Sequence, residues 1–442
     1  MTRDADQLAI NGGPKAVTEF EAEPEHKIWL EELMEVLDIW NLPDDALADI
    51  RAIIEEKGLE SPHLFRYYGE RSKVEEFESA FCDYFGTRHA LGVNSGTSAL
   101  IASMVAAGVG PGTEVIIPAY TFFATCAAAV VAKGIPVIAE IDETLNLDPG
   151  DVEAKITPRT KAIAAVHMSG VATEMDAIME IADRHDLVII EDAAQAGGGT
   201  YHGKPLGTIG DLGCFSLDYY KTFVAGEGGV VSTDDDYLYM RAQSYHDTAA
   251  CWRPNRYAEE RREGELFCGE NYRFGELQAA VALAQLRKLP DKLERWRHNK
   301  HRVKEAVADH EGLSFRRNPD PGGEAGYTLT MLMPDEQTAA DIREALGAEG
   351  IGAGGSYSDE VRDWHVYAYW EHLMELKTAT DEGCPFTCPY YDAETPEYTP
   401  DMCPQTLDIL SRTVRLGISP TWTDTDCDNV ARAINKVMSA YL

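Results

Sequence analysis

The sequence predicts an α/β protein with a large domain built on a mainly parallel central sheet and a smaller C-terminal α/β domain. Short apolar segments alternate with amphipathic helical segments between about residues 90 and 190, which is typical of folds whose helices cover a parallel sheet. A long helical pattern crosses residue 290, and a second, shorter set of apolar and helical segments follows it. We therefore expect an N-terminal arm at residues 1–71, the large domain at 72–305 and the small domain at 306–442.

The N-terminal arm is predicted to contain two short helices. Apolar residues recur at helical spacing in residues 29–37, and a second amphipathic pattern covers residues 44–56 behind Pro43. The Asn-Gly-Gly-Pro sequence at residues 11–14 predicts a turn before them. A third amphipathic helix is predicted at residues 72–85, at the start of the large domain.

Strands and helices of the large domain are predicted in alternation. Strands are expected at residues 90–93, 114–117, 136–139, 162–166 and 187–190, and helices at residues 99–107, 123–132 and 175–184. A strong helix at residues 274–289 is expected to break at Pro290, because proline lacks an amide donor, and to resume at residues 291–310. Ligands bind at the carboxyl ends of the strands in such sheets, so the loops after the strands are the expected site.

The small domain is predicted to contain a strand at residues 328–333 and helices at residues 338–347 and 424–439. A polar segment at residues 245–269 is predicted to be an exposed loop long enough to be functional. Residues 364–373 contain Trp364, His365, Trp370 and His372. These side chains either contact substrate or pack as the aromatic face of a helix, and packing is the more common outcome.

Charge and composition argue against a nucleic-acid-binding protein and against a membrane-spanning protein. The net charge of −36, from 75 acidic and 39 basic residues, argues against a nucleic-acid-binding protein, which needs a basic surface. It suits either an ordinary acidic enzyme or a protein from a saline cytoplasm. No apolar run approaches the roughly 18 to 20 residues of a membrane span, and the opening Met-Thr-Arg-Asp-Ala-Asp lacks a secretion pattern, so a cytoplasmic protein is expected.

The nine cysteines do not predict a metal site. Cys384, Cys388 and Cys403 come closest to a cluster, but their spacing matches no familiar zinc pattern. We expect reduced and mostly buried thiols.

Lys221 is the candidate catalytic residue. It follows an apolar and aromatic run and precedes a glycine-rich turn, Gly-Glu-Gly-Gly at residues 226–229. A lysine in such surroundings can lose its proton and attack a carbonyl to form a Schiff base. Taken alone, the segment also fits an ordinary solvated lysine.

Residues 95–98, Ser-Gly-Thr-Ser, are a candidate anion site between a strand and a helix. Free backbone N–H groups at a helix N-terminus bind anions, and Gly96 allows close approach while the hydroxyls of Thr97 and Ser98 add donors. The ordinary alternative is a helix N-cap. Ser216, five residues before Lys221, offers another hydroxyl for a phosphate.

Three further residues suit a flat, nitrogen-containing ring. Asp192 follows the strand at residues 187–190, where its carboxylate could keep a pyridine nitrogen protonated and make the ring an electron sink. Gln195 could reach a ring hydroxyl, or both residues could cap a helix. The ring of Phe122 could stack on a cofactor or belong to the core. Together with Lys221 and the anion site, these residues describe a pocket for pyridoxal phosphate.

Several segments now make a family resemblance specific. Residues 72–300 closely resemble the DegT/DnrJ/EryC1/StrS family of sugar aminotransferases, which are pyridoxal phosphate enzymes of fold type I. The matching segments occur in the family's order, at residues 94–100, 118–122, 166–170, 191–195, 215–221, 226–229, 271–273 and 277–280.

The resemblance implies a role for each candidate residue. Lys221 would form the Schiff base with the cofactor and then move the proton, and Asp192 would pair with the pyridine nitrogen while Phe122 stacks on the ring. The phosphate would be held by Gly96, Thr97, Ser98 and Ser216, helped by Asn271 of a partner subunit. A homodimer with a shared active site is therefore expected, with an amino donor and a sugar acceptor as small-molecule partners.

Narrower likenesses point in two directions. Residues 209–222 and 364–373 resemble the branch that contains 8-amino-3,8-dideoxy-manno-octulosonate transaminase, which serves lipopolysaccharide biosynthesis. The N-terminal arm instead resembles relatives that act on cyclitols or aminohydroxybenzoate precursors. The expected reaction is transfer of an amino group from glutamate or glutamine to a keto or aldehydo sugar. One alternative is a dehydratase or lyase on the same fold, since some relatives are dehydratases that have histidine in place of the lysine. The other alternative is a non-catalytic regulatory relative.

Overall fold

A computed structural model of the chain describes residues 7–19, 22, 26–62, 64–65, 72–248, 259–260, 262–358 and 362–442. Residues 1–6, which bear on the expected location, and residues 249–258 and 261 of the predicted loop lie outside the described residues. The chain forms two compact units, Met1–Leu64 and Phe65–Leu442. Within the described ranges, no helix is long and apolar enough to cross a membrane.

The helices are, in chain order, α1 (Leu30–Asp38), α2 (Asp44–Lys57), α3 (Lys73–Phe85), α4 (Gly96–Ala106), α5 (Ala124–Val131), α6 (Pro149–Ala154), α7 (Met175–His185), α8 (Asp236–His246), α9 (Glu276–Ala306), α10 (Glu336–Ala348), α11 (Glu371–Met374), α12 (Pro404–Ser411) and α13 (Asp424–Tyr441). The predicted helices lie close to their observed positions, whereas α6, α8 and α12 were not predicted. The first unit contains α1 and α2, which are joined by an ion pair between Glu31 and Arg51 at 2.6 Å. The second unit contains the other helices and the strands.

The strands are β1 (His89–Val93), β2 (Glu114–Pro118), β3 (Ile135–Ala139), β4 (Thr160–Val166), β5 (Val188–Asp192), β6 (Thr200–Tyr201), β7 (Lys204–Pro205), β8 (Leu212–Ser216), β9 (Gly229–Thr233), β10 (Ser314–Phe315), β11 (Thr328–Leu332), β12 (Ala353–Gly354) and β13 (Thr413–Gly417). Seven of them form a central sheet in the order β1-β9-β8-β5-β4-β2-β3. Strand β9 runs antiparallel to the other six strands of this sheet, which are parallel to one another. The sheet is therefore mainly parallel, as predicted.

The central strands are apolar because helices cover both faces of the sheet. On one face Val115, Ile117 and Ile190 pack against the apolar side of α4 and α5. On the other face Ile116 and Ile163 pack against residues of α6 and α7. Burial on both sides fixes the strands, and the loops at their carboxyl ends are held in place with them.

A second, four-stranded sheet has the order β10-β11-β13-β12 and is antiparallel throughout. Its apolar face packs on α10 and α13 through Leu329, Met331, Val414 and Leu416. The finer division of the second unit at residue 305 stays a prediction.

The predicted break at Pro290 is wrong, because α9 continues through this residue as one helix of 31 residues. Pro290 is exposed, whereas Leu286, Leu289 and Leu293 around it are buried. Burial of these leucines stabilises the helix on both sides of the proline.

Candidate active site

The loops that follow β1, β2, β4, β5 and β8 meet at the carboxyl edge of the central sheet. They line a cavity of about 890 Å³, and residues of the second sheet form its other wall. Eight of the nine predicted site residues were expected in these loops, and seven line the cavity: Gly96, Thr97, Phe122, Asp192, Gln195, Ser216 and Lys221. The structure therefore brings these seven residues together at this edge, and their roles stay predictions.

Lys221 lies in the turn after β8. Its backbone N–H donates to the carbonyl oxygen of Asp218 at 3.0 Å, which fixes the turn that presents the side chain to the cavity. The side chain is partly buried, and no carboxylate of the described chain lies within 4.0 Å of its ammonium group. A lysine that is not tied to a carboxylate is free to react with a carbonyl.

The N-terminus of α4 forms an anion cradle. Ser95 caps this helix, and its Oγ accepts from the Ser98 N–H at 3.0 Å. Gly96 and Thr97, the first residues of the helix, line the cavity, and their amides have no intrahelical acceptor. A Cβ on Gly96 would lie 2.7 Å from the Cβ of Ser216. Only glycine permits this close approach, which brings the Ser216 hydroxyl beside the free amides.

Asp192 ends β5 and is only 5% exposed. One carboxylate oxygen accepts from the Thr125 hydroxyl at 2.7 Å and the other from the Ala194 N–H at 3.1 Å. The carboxylate lines the cavity and retains lone pairs for a further donor, such as a protonated ring nitrogen.

Gln195 connects two loops at the cavity floor. Its side-chain oxygen accepts from the Ser169 N–H at 3.0 Å, and its backbone carbonyl accepts from the Tyr327 hydroxyl at 2.8 Å. Ser169 adopts a left-handed backbone with φ of 53°, which turns this N–H toward the glutamine. The side-chain oxygen therefore holds a loop, and the amide N–H₂ group remains for a ligand.

The Phe122 ring is 48% exposed at the mouth of the cavity, and its centroid lies 5.3 Å from that of His365. The loop around Phe122 is paired with residues 364–366, because the N–H groups of Thr121 and Phe123 donate to the carbonyls of His365 and Trp364. Trp370 is fully buried and packs on Phe123. Residues 364–373 thus contain both alternatives: Trp370 packs, and His365 lines the cavity.

Asp363 orients His365. Its carboxylate lies 2.7 Å from Nδ1 of the imidazole and also accepts from the His365 backbone N–H. Burial alone would raise the pKa of Asp363, but these hydrogen bonds and the charges of His365 and Arg415 outweigh it, and the pKa is lowered. A carboxylate at Nδ1 favours the tautomer whose Nε2 is a free acceptor.

Two predicted residues are not part of this lining. The Ser98 hydroxyl donates to Asn94 Oδ1 at 2.6 Å and lies 2.9 Å from the Ser95 hydroxyl, so it is engaged in capping α4. Asn271 is exposed, and its side-chain oxygen accepts from the Arg273 N–H at 3.3 Å. Its role in a partner's site stays a prediction.

The structure adds cavity residues that sequence reasoning missed, namely Thr121, Trp296, Tyr327 and Arg415. Thr125, which holds Asp192, was also missed. Arg415 had one usable signal, because it is the only charged residue in β13, whose sequence is Thr-Val-Arg-Leu-Gly. Hydroxyl residues such as Thr125 and Tyr327 carry no comparable signal in the sequence.

A buried pair behind Asp192 supports the site from within the sheet. Glu191 accepts from the N–H groups of Gly207, Ile209 and Gly210 at 2.6–2.8 Å and lies 2.9 Å from His167 Nε2. Both side chains are fully buried. These bonds tie the strand that carries Asp192 to the loop before β8.

The residues fit pyridoxal phosphate. The amides of Gly96 and Thr97 with the Ser216 hydroxyl suit its phosphate, and Asp192 suits its ring nitrogen. Lys221 supplies the amine for its aldehyde. Every one of these groups faces a single cavity whose size suits a cofactor together with a substrate.

Comparison with known proteins identifies relatives of this chain. The model of the DegT/DnrJ/EryC1/StrS aminotransferase family matches residues 65–385. The chain is 36% identical to L-glutamine:2-deoxy-scyllo-inosose aminotransferase of Streptomyces kanamyceticus over 72% of this chain and 77% of that protein. It is 42% identical to GDP-perosamine synthase of Caulobacter vibrioides over 50% of this chain and 58% of that protein, so this second match spans little more than half of the relative.

Solved structures agree with the family match. The crystal structure of 3-amino-5-hydroxybenzoic acid synthase is 27% identical, has a TM-score of 0.69 and covers 95% of this chain and 100% of that chain. With the mainly parallel sheet, the likeness confirms the predicted fold, type I of the pyridoxal phosphate enzymes. The likeness to the octulosonate branch stays a prediction.

Proposed function

Because the chain belongs to the DegT/DnrJ/EryC1/StrS aminotransferase family and is a pyridoxal-phosphate-dependent aminotransferase, we propose that it transfers the amino group of glutamine or glutamate to the carbonyl carbon of a keto or aldehydo sugar or a cyclitol. The product would be an amino sugar or amino cyclitol for polysaccharide or related biosynthesis. The relatives whose printed names give a donor use L-glutamine with an inosose, and another relative makes GDP-perosamine. These names support the acceptor class and leave both donors open.

The observation that carries the proposal is the convergence of Lys221, Asp192 and the anion cradle on one cavity. Pyridoxal phosphate, when bound, supplies a carbonyl carbon that exchanges with amines and a ring that stores the electron pair released at the substrate carbon. The N–H groups of Gly96 and Thr97 and the Ser216 hydroxyl would hold the phosphate. Asp192 would keep the ring nitrogen protonated, and its orientation is fixed by Thr125 and Ala194.

Lys221 would act as the general base that takes the proton from the donor's α-carbon and later returns a proton to the acceptor. Two features suit this task. The ammonium group has no carboxylate partner among the described residues, and its turn is fixed by the bond to Asp218. The Phe122 ring at the cavity mouth would cover the cofactor and exclude water from it.

We also propose a homodimer whose partner subunit completes the site with Asn271. Tyr219 and Tyr220 beside Lys221 are 73% and 88% exposed, and so much exposed aromatic surface at an active site suits an interface. The proposed location is the cytoplasm. In support, the eight described cysteines are free thiols, which suits a reducing compartment.

Absorption spectroscopy of the purified protein, reconstituted with pyridoxal phosphate, tests the proposal. We expect a yellow band that bleaches when glutamine or glutamate is added and returns when a suitable keto sugar follows. Lys221→Ala should lose turnover and the lysine-linked band, whereas Lys288→Ala, a change at an exposed position of α9, should behave as the parent.

Each other outcome points to a different function. A yellow protein that consumes a sugar without any amino donor would be the dehydratase or lyase. A protein that neither binds the cofactor nor turns over would be a regulatory relative. Transamination by Lys221→Ala at the parent rate would refute the assigned base.

A further inference from the structure

The segment that follows Lys221 packs against the loop after β5. A Cβ built on Gly197 of that loop would lie 2.7 Å from the ring of Phe223 and 2.9 Å from the hydroxyl of Thr222. Both of these residues are buried. The absence of a side chain at Gly197 therefore lets the segment after the lysine lie directly on the loop that carries Gln195.

Helix α9 reaches the same segment through Lys292. The ammonium group of this lysine donates to the carbonyl oxygen of Thr222 at 2.8 Å. It also lies 4.8 Å from the centre of the ring of Trp296, which is one turn further along α9 and lines the cavity. A cation at this distance is attracted by the electrons of the ring, so Trp296 helps to hold the ammonium group beside the carbonyl.

This hydrogen bond is the only one that the backbone of residues 222–224 makes within the described part of the chain. The turn before it is closed by the N–H group of Lys221. Burial of the Phe223 ring holds the segment against the core, but an apolar contact does not set the direction of a peptide group. Lys292 therefore sets the direction of the peptide group one residue beyond Lys221.

No ion pair competes for the Lys292 ammonium group. Burial lowers the pKa of this amine, and no carboxylate of the described residues opposes the effect. A half-buried ammonium group without a carboxylate partner depends on neutral acceptors for its stability. Its bond to the Thr222 carbonyl is charge-assisted and hence stronger than a bond between neutral groups.

We propose that Lys292 is a positioning residue for Lys221, which fixes through the Thr222 carbonyl the backbone from which the Lys221 side chain enters the cavity. The inference rests on the proposed function, because it concerns the reaction of Lys221 with the carbonyl carbon of the cofactor. An amine reacts with a carbonyl carbon only from a narrow range of directions, and a misplacement of about 1 Å can slow a reaction by on the order of 100-fold. Lys292 itself is not among the described residues that line the cavity, so it acts through the backbone.

Reaction of the cofactor-free protein with pyridoxal phosphate tests the inference without turnover. Lys292→Met keeps an unbranched side chain beside Trp296 and removes the donor. The yellow lysine-linked band should form about tenfold more slowly than in the parent, because a charge-assisted hydrogen bond is lost. Lys292→Arg retains a charged donor and should recover much of the rate. Lys288→Met, at an exposed position one turn earlier on α9, is the matched control and should react as the parent does.

A probe without the aldehyde separates positioning of the lysine from a change in the whole cavity. Pyridoxine 5′-phosphate has the ring and the phosphate of the cofactor but carries an alcohol in place of the aldehyde, so it cannot react with Lys221. Its affinity for the cofactor-free protein, measured by calorimetry, should differ by less than about twofold between the parent and Lys292→Met. Equal losses of this affinity and of the reaction rate would mean that Lys292 supports the cavity as a whole, and would overturn the inference.

Steady-state kinetics of the loaded enzyme should show the same distinction. In Lys292→Met, kcat should fall about tenfold while KM for the amino donor changes by less than about twofold, because binding of the donor does not require an aligned lysine. If the methionine variant does not fold, Lys292→Gln replaces it. Its neutral amide ends one bond short of the lysine nitrogen and should slow band formation by about threefold or more.

The remaining outcomes distinguish this inference from the proposed function. A parent that forms no lysine-linked band would refute the proposed function itself. If the parent forms the band and Lys292→Met forms it at the same rate, only the inference fails. If Lys292→Arg reacted as slowly as Lys292→Met, loss of the donor would not explain the effect, and the inference would again be wrong.

Discussion

Replacing Glu191 with glutamine exchanges one carboxylate oxygen for an N–H₂ group. We expect this change to lower the free energy of unfolding by about 3 kcal/mol. Each carboxylate oxygen of Glu191 accepts two hydrogen bonds: Oε1 from the Ile209 and Gly210 N–H groups, and Oε2 from the Gly207 N–H and His167 Nε2. His167 Nδ1 accepts from the Thr173 N–H at 3.1 Å, so Nε2 carries the hydrogen. All four groups at Glu191 are therefore donors.

Glutamine cannot satisfy these four donors in either orientation of its amide. Its oxygen would serve two of them, and its N–H₂ group would face the other two. Each buried donor without an acceptor costs roughly 1–3 kcal/mol, so about 3 kcal/mol in total is a conservative expectation. At about 2.1 cal/mol/K of unfolding entropy per residue, a chain of 442 residues should lose about 3 K in Tm.

Thermal unfolding of the two proteins at the same cofactor concentration measures the change, since bound cofactor itself raises Tm. Glu344→Gln, the same substitution at an exposed position of α10, should shift Tm by less than about 0.5 K. A Glu191→Gln shift as small as that of the control would refute the argument that buried donors depend on this carboxylate.

Three further changes should alter stability in a stated direction. Pro290→Ala should raise Tm by about 1–3 K because it restores an amide donor inside α9, whereas Pro149→Ala, at the first turn of α6 where proline is favoured, should not raise it. The net charge of −36 should make Tm rise when NaCl is raised from about 0.05 to 1 M, because the Debye length falls to roughly 3 Å at 1 M and the repulsion between acidic residues weakens. This rise in Tm should vanish near the pI of about 4.6, where the net charge is close to zero. Burial against Phe123 and Trp364 lowers the pKa of His372 below 6.5, with Lys377 adding to the effect and Glu371 opposing it. The unfolded chain then binds the proton of His372 more tightly, so the contribution of this residue to stability is constant above about pH 6.5 and falls as the pH drops below it. The pH dependence of Tm should therefore be flatter in His372→Gln.

Contrary results are equally specific for these three changes. If Pro149→Ala raised Tm as much as Pro290→Ala, the position of the proline inside a helix would not explain its effect on Tm. A salt response that persists near the pI would point to ion-specific binding rather than to repulsion. Identical pH profiles for the parent and His372→Gln would show that protonation of this imidazole does not open the packing around it.

The sequence was sufficient for the residues that follow parallel strands. Gly96, Asp192, Ser216 and Lys221 each lie within a few residues of a strand's carboxyl end. Those ends must meet at one edge of the sheet, so local pattern and sheet geometry together place the residues in one cavity. The hydroxyl of Ser98 shows the limit of this reasoning. It lies at the N-terminus of α4 as expected, but it donates to the side chain of the neighbouring Asn94.

Residues that reach the cavity from distant parts of the chain could not be predicted in this way. Arg415 reaches the cavity through the pairing of β13 with β12, and His365 through a bridge between Tyr120 and Val366. The two residues of that bridge are separated by more than half of the chain, so no local pattern links them. The prediction of a helix break at Pro290 was wrong for a related reason. A rule for isolated helices ignores the packing of the buried residues Leu286, Leu289 and Leu293.

Arg316 shows that the site does not belong to the central sheet alone. Its guanidinium is buried beside β10 and donates to the carbonyl oxygens of Thr144 and Met168 at 2.6 and 2.9 Å. Burial lowers its pKa to about 10, which still leaves it charged at neutral pH, so these carbonyls take the place of water around a cation. Met168 precedes Ser169, whose N–H holds the Gln195 side chain. Through these bonds the second sheet constrains the loop beside the proposed ring site. A rearrangement of the second sheet would therefore move the loop that holds Gln195, which couples this sheet to the geometry around the proposed ring site.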